Sequence, residues 1–280
     1  MDFLMELAQY GAKHFHLTLF RYVLAASVMS ICAGWLFRTW MHRRRIQKRR
    51  AEWKDIRREV SFSMLTVCIF TVIGTIISLL EKMGLTKLYW QWGDYPMWWN
   101  IASLPVLILL HDAYFYWTHR GMHHPKIFKH FHRLHHLSRT PTPWTAYSFS
   151  VGEAALNGLF SPLIILMIPM HPTIWLSFVF IMIFRNAMLH TGCEFHPRNW
   201  VDGPLDNMTT TTHHDLHHQR FQGNYGFYFT WWDRWMGTEF KDYKLAFRRA
   251  VDGTLSDASQ EKTADARTNL SQGGSANMPA

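Results

Sequence analysis

The chain has 280 residues, 48% of them hydrophobic and 16% aromatic, with a formal net charge of +9. That length fits one large domain or two small ones, and a mean hydropathy of −0.12 averages apolar spans with basic segments, so it does not exclude a membrane protein. The three cysteines, Cys32, Cys68 and Cys193, lie far apart with no CxxC pair, which argues against a disulfide framework and against a thiolate zinc site.

Residues 1–16 are short and mixed, without a basic stretch followed by a small-residue cleavage site, so no cleaved signal peptide is expected. A first apolar span runs from about Leu17 to Trp40, long enough for a bilayer crossing of ~20 residues. Between Arg43 and Arg58 come nine Lys/Arg against two acids, a local excess of +7. No nucleic-acid motif accompanies this block, so it reads as a cytoplasmic loop obeying the positive-inside rule, and nucleic acid is not an expected partner. A second span covers about Val60 to Leu80, and Trp90, Trp92, Trp98 and Trp99 with Tyr89 and Tyr95 resemble an interfacial aromatic belt.

A third span begins near Trp98 and carries IASLPVLILL into His111. Eight of the 18 histidines then fall between His111 and His136. PTP at 141–143 marks a break, and two apolar runs, about Leu156–Met170 and Thr173–Leu189, form a hairpin that enters the bilayer without clearly spanning it. With the basic loop cytoplasmic, this topology delivers every histidine cluster to the same side. From about Asp252 onward the chain loses aromatic and periodic apolar character and reads as a disordered polar tail; its Asn269-Leu270-Ser271 triplet would be a sequon without function in the cytoplasm.

The histidines carry the chemistry. His119 and His123 are spaced i, i+4; His132, His135 and His136, and again His214, His217 and His218, are spaced i, i+3, i+4. On a helix such spacings put imidazoles on one face, close enough to share a metal. A structural zinc takes four ligands and a catalytic one three, so nine or more suitably spaced histidines point to two metals. Imidazole suits iron, zinc, copper and nickel alike. The zinc-protease motif HExxH is absent.

HRGMHH, HRLHH, the PTP that follows, and HHDLHH leading into NYGFYFTWWDRWMGTEF resemble the sterol desaturase and fatty acid hydroxylase superfamily over roughly residues 105–242. The resemblance implies an integral membrane non-haem di-iron enzyme that uses O2, with electrons from a cytochrome or ferredoxin-type donor, to hydroxylate or desaturate a lipid. Carried over residue by residue, it assigns His119 and His123 to a first box, His132, His135 and His136 to a second, and His214, His217 and His218 to a third, with His190 as the isolated histidine before it. His213, Asn186 and His111 are alternatives for a tenth ligand. The sterol delta-5 desaturase branch carries a His-Pro in an AFHP-like stretch after PTP; here the corresponding residues read YSFSVGE, which leaves the sterol itself open. Asp112, Asp215 and Glu153 are candidates to orient histidine N–H groups.

The expected protein is therefore an all-α integral membrane chain of about four transmembrane helices, multi-pass, with a cytoplasmic histidine-rich cap. It would lie in a bacterial inner membrane, or in the endoplasmic reticulum of a eukaryote. Its expected divisions are residues 1–95, N-terminal helices and basic loop; 96–245, a fatty acid hydroxylase-type catalytic domain; and 246–280, the tail. The rival from another class is a histidine-rich membrane metal-binding or transport protein, which should place polar ligands near the bilayer midplane.

Overall fold

The structure, a computed structural model, describes residues 2–254. Every regular element among them is helical, and their only extended pairings are isolated bridges, Arg45 with Cys193, Leu88 with Met170 and Met208 with Phe229. The helices are α1 (Asp2–Ile31), α2 (Arg38–Arg43), α3 (Trp53–Lys82), α4 (Met97–Met122), α5 (Pro125–Phe131), α6 (Val151–Met167), α7 (Pro172–Leu189), α8 (Thr211–Arg220), α9 (Trp231–Trp235) and α10 (Tyr243–Asp252).

Helix α1 starts well before Leu17, because residues 2–16 are mostly good helix formers with only Gly11 among them to oppose it. It runs into a π-turn at Cys32–Leu36 before the chain bends at Phe37. The Glu52 N–H donates to the Asp55 carboxylate (3.1 Å), satisfying a donor at the start of α3. Ser150 and Thr210 do the same for α6 and α8, accepting from the Glu153 and His213 N–H groups.

Three helices are long and apolar enough to cross a bilayer: Asp2–Leu36, Trp53–Lys82 and Pro172–Leu189. The expectation of about four therefore stands at three on length and composition. Helix α4 is not among them, since its apolar stretch gives way to His111, Asp112, His119 and Arg120. Helix α6 has 17 residues, roughly 25 Å of helix against a hydrocarbon core of ~30 Å. The turn of the α6–α7 hairpin meets the α3–α4 connection: the Lys87 N–H donates to the Ile165 carbonyl (2.8 Å), the Tyr89 N–H to that of Met170 (3.2 Å), and the His171 ring stacks on Trp92. Trp90 and Trp98 project outward there, as a belt requires.

Small residues let the helices close up. Ala25 and Ala26 of α1, Ala154 of α6 and Ala187 of α7 are fully buried around Tyr22, Val67 and Tyr147. Gly158 of α6 leaves room for the Ile73 side chain, whose Cδ1 would lie 2.4 Å from any added Cβ. The short turn Pro143–Tyr147 is anchored into this core through the Trp144 carbonyl, which accepts from Tyr22 (3.0 Å) and Ser63 (3.2 Å). It thereby fixes where the histidines on either side of it lie.

The division expected at residue 246 cuts through α10. That helix buries Tyr243, Phe247 and Ala250 and packs against α8, so the last turn of apolar periodicity belongs to the folded part. The polar tail with its Asn269 triplet lies outside the described residues.

Candidate metal centre

Nine histidines converge in two adjoining groups. One is His119, His123, His132, His136 and His217; the other is His135, His190, His214 and His218, with the donor atoms of each group within 4.8 Å of one another. They are the nine expected from the boxes and the isolated histidine. They are not grouped as the sequence groups them. Each i, i+4 pair (His119 and His123, His132 and His136, His214 and His218) stays together, whereas His135 and His217 cross to the other group. The second cluster is not on one helix either: His132 follows α5, and His135–Leu137 form a single 3-10 turn.

The rings are oriented from behind by carbonyl oxygens. Nδ1 of His119 lies 2.9 Å from the Tyr225 carbonyl, that of His190 2.7 Å from Asn186, that of His217 2.7 Å from Gly223, and that of His218 3.0 Å from Ser138. A carbonyl only accepts, so these rings carry their proton on Nδ1 and turn the Nε2 lone pair inward. The Glu153 carboxylate stands behind His132 by distance alone, with Oε1 2.7 Å from Nδ1 but without hydrogen-bond alignment.

Where carbonyls fix both tautomers, as in His190 and His218, the inward atoms face each other without a proton to share, and other rings crowd the same space. His190 Nε2 is 3.2 Å from His218 Nε2 and 3.0 Å from His214 Nε2, and His119 Nε2 is 3.0 Å from His132 Nε2. His217 Nε2 is buried with no hydrogen-bond partner. Opposed lone pairs and an orphaned acceptor are unfavourable in a dry interior unless a cation sits among them, and imidazole donors of this number fit two transition-metal ions. Burial, reinforced by neighbouring histidines, holds His136, His217 and His218 well below the usual imidazole range, so they are neutral and ready to donate.

Of the alternatives for a tenth ligand, His213 and His111 lie outside both groups. His213 is on the flank of α8 away from both groups, with Nε2 3.5 Å from Asp233 and its ring edge-on to Tyr243. Asn186 donates its side-chain N–H to the Ala146 carbonyl (2.7 Å). His111 is enclosed by Phe160, Phe178 and Phe227. Among the acids named as orienters, only Glu153 touches a histidine of the two groups. Asp112 accepts from the Tyr228 and Phe229 N–H groups and from the Trp231 indole, fixing a loop. Asp215 accepts from Gln47 and Gln219, and burial, partly offset by these bonds, pushes it up to about 7.

Three supports escaped the sequence reading. Arg185, the one charged residue in α7, donates to the carbonyls of Thr209, Phe227 and Tyr228, and so ties α7 to the segments flanking α8. Its presence in an otherwise apolar helix was the signal. Glu194 accepts from the Thr212 N–H (2.8 Å) at the start of α8 and pairs with His196. Asp233 accepts from the Tyr225 and Gly226 N–H groups, so the NYG and WDRWMGT segments hold the loop whose carbonyls orient His119 and His217. Gly226 is required there, since an added Cβ would lie 2.4 Å from the Phe229 carbonyl oxygen.

Glu153→Ala removes the only carboxylate, among the described residues, that lies behind a histidine of the two groups. We expect bound iron or turnover to fall by ~10–100-fold, the usual cost of losing such support, with the protein still inserted in the membrane. Metal analysis and product formation at matched protein levels check this; unchanged values in both would show that Glu153 does not orient His132.

A family model described as fatty acid hydroxylase matches residues 104–238. The chain is 31% identical to the lathosterol oxidase of Rattus norvegicus over 192 residues, covering 67% of this chain and 62% of that protein. It is 30% identical to the Homo sapiens lathosterol oxidase over 190 residues, with the same shares covered. To a delta(7)-sterol 5(6)-desaturase of Gibberella zeae it is 29% identical over 185 residues, 66% of this chain and 56% of that protein. The matched part thus spans less than two thirds of these relatives' own length. No solved structure matches the chain.

Proposed function

Because the chain belongs to the sterol desaturase and fatty acid hydroxylase superfamily, we propose that it is an O2-dependent membrane oxidoreductase that hydroxylates or desaturates a lipid. The observation that carries this reading is the pair of histidine groups with their Nε2 atoms turned inward. Nine histidines would hold two irons: His119, His123, His132, His136 and His217 one, and His135, His190, His214 and His218 the other. Iron held there would supply the redox chemistry for oxidising a lipid C–H bond with O2, the electrons coming from an external cytochrome or ferredoxin-type donor.

The chain's own residues bind, orient and enclose. Carbonyls of Asn186, Ser138, Gly223 and Tyr225 fix the imidazoles before any metal arrives, which lowers the ordering cost of binding. Phe128, Phe149, Phe221 and Tyr225 pack against the rings and keep bulk water away. A cavity of about 350 Å³ opens between α1, α3, α6 and α7, and Tyr147 lines its wall. Two residues on, Phe149 lies 5.4 Å from the His135 ring, which makes this cavity our reading of the lipid's approach.

A metal transporter is the less favoured reading, because the donors gather at helix ends and turns and the family domain covers all nine. Purified protein given a reductant and membrane lipid should consume O2 and yield oxidised lipid by mass spectrometry. Metal binding without O2 consumption under any donor would favour transport instead.

We further propose that the histidine groups and the basic loop both face the cytoplasm, in a multi-pass topology that keeps residues 1–95 as membrane helices ahead of a catalytic region beginning near residue 96. Two contacts support this: Ile46 N–H donates to the Gly192 carbonyl and the Glu194 N–H to that of Arg44, joining the basic loop to the chain after His190. Reporter fusions at about residue 50 and just after α10 should both read cytoplasm, and one near residue 88 the opposite side. Opposite compartments for the first two would break the topology.

A further inference from the structure

Where α1 leaves its apolar stretch, a cavity of about 530 Å³ opens beneath the basic loop. Arg38, His42, Arg45, Arg49 and Arg50 line it, and no aspartate or glutamate is among the described residues that do. The acids around it are already engaged: Glu59 accepts from the Thr142 hydroxyl and Asp215 from the Gln47 amide (2.9 Å) behind the lining, Asp55 pairs with Arg58 (2.9 Å) and Glu52 with Lys54 (2.7 Å). Arg38 and Arg49 are exposed and form no ion pair among the described residues.

The rest of the lining is small and neutral. Ser30, Ala33 and Gly34 come from the end of α1, and the opposite wall is Thr140–Pro143 with Thr191–Cys193. A Cβ added at Gly34 would meet nothing within 4 Å, so this side is open. The basic side is held in place by the Arg45–Cys193 bridge, by the Ile46–Gly192 bond (3.1 Å) and by the Gln47 amide donating to the Arg139 carbonyl (2.8 Å). Beside the cavity, Trp35 is 76% exposed and Trp40 44% exposed, with Leu36 and Phe37 exposed between them. Exposed Trp at the end of an apolar helix marks headgroup depth in a bilayer.

A positive, acid-free, pre-formed cavity at headgroup depth, bordered by apolar surface, suits a phosphate ester attached to an acyl chain. We propose that this cavity binds the phosphate of an anionic phospholipid, at a site separate from the histidine groups. The arginines hold the phosphate, and the acyl chains lie along the exposed apolar residues at the end of α1. None of the lining residues is a proposed metal ligand, so this inference stands or falls independently of the oxidation chemistry.

The test uses the full-length protein in vesicles of phosphatidylcholine with and without phosphatidylglycerol, reading retained lipid by native mass spectrometry. Phosphatidylglycerol should be retained in preference to phosphatidylcholine. The double variant Arg38→Gln, Arg49→Gln should weaken retention by about 30-fold, the loss expected for two basic residues at an anionic surface. The control pair Arg43→Gln, Arg57→Gln, exposed and outside the cavity, should leave most of it. Equal loss in both pairs would show a diffuse surface charge and overturn the site. Inorganic phosphate that displaces the retained lipid supports a phosphate-reading cavity; phosphate binding with no lipid retention overturns the lipid as its source. Iron content should be the same in both pairs and in the parent protein, which separates loss of this site from loss of the metal centre.

Discussion

His135→Ala and His217→Ala should each abolish turnover while the protein still inserts in the membrane. These two histidines cross between sequence clusters. His135 leaves its neighbours His132 and His136 to join His190, His214 and His218, and His217 leaves His214 and His218 to join His119 and its group. Each is held by a backbone carbonyl, that of Ser148 for His135 (3.4 Å) and that of Gly223 for His217 (2.7 Å). With two metals held as proposed, losing either imidazole would open a position on one and disturb the other, because the His136 and His218 rings lie only 4.8 Å apart across the two groups. His171→Ala is the contrast. That ring accepts from the Thr173 N–H at the start of α7 and stacks on Trp92, so its loss should cost about 1 kcal/mol of stability and leave activity largely intact. Product formation by mass spectrometry, in membranes with matched protein levels, separates the two classes. Near-normal turnover in both His135→Ala and His217→Ala would end the di-iron assignment.

Protein purified without oxygen should carry about two irons per chain. Five imidazoles in one group and four in the other leave no set of donors idle, whereas a single ion would leave either the orphaned His217 Nε2 or the opposed His190 and His218 lone pairs uncompensated. Zinc found after aerobic purification would not contradict this, since zinc occupies imidazole sites readily. A reproducible single metal, or full activity with none, would. The variants sharpen the measurement: His217→Ala should lower occupancy in the five-histidine group and His190→Ala in the four-histidine group. Proportionate loss of both ions from either change would indicate one cooperative site.

The nine histidines that converge, the helical class and the apolar spans were legible in the sequence, for local reasons. A metal site built on helix ends needs histidines three or four apart, and long apolar runs have few alternatives to a membrane. The start of α1 was not legible, because helix formers without an apolar stripe give no periodic signal. The polar tail was read from about Asp252, where α10 ends, but the division at residue 246 falls inside that helix: α10 alternates buried Tyr243, Phe247 and Ala250 with arginines, and only its packing on α8 shows which side is core.

Which histidines gather in which group was decided by tertiary structure alone. Spacing i, i+4 keeps a pair on nearly the same line of a helix, and each of the three such pairs does stay together. On α8 the i+3 member His217 points to the other flank, and His135 leaves its neighbours from a 3-10 turn, so the group of each depends on what lies beside it, which sequence spacing does not encode. His213 shows the same limit: it stands i, i+4 from His217, yet its ring lies outside both groups, edge-on to Tyr243. Distant carbonyls decide the remainder. Tyr225 orients His119 across 106 positions of chain and Ser138 orients His218 across 80, and backbone oxygens leave no mark in a sequence until the fold brings them to the ring.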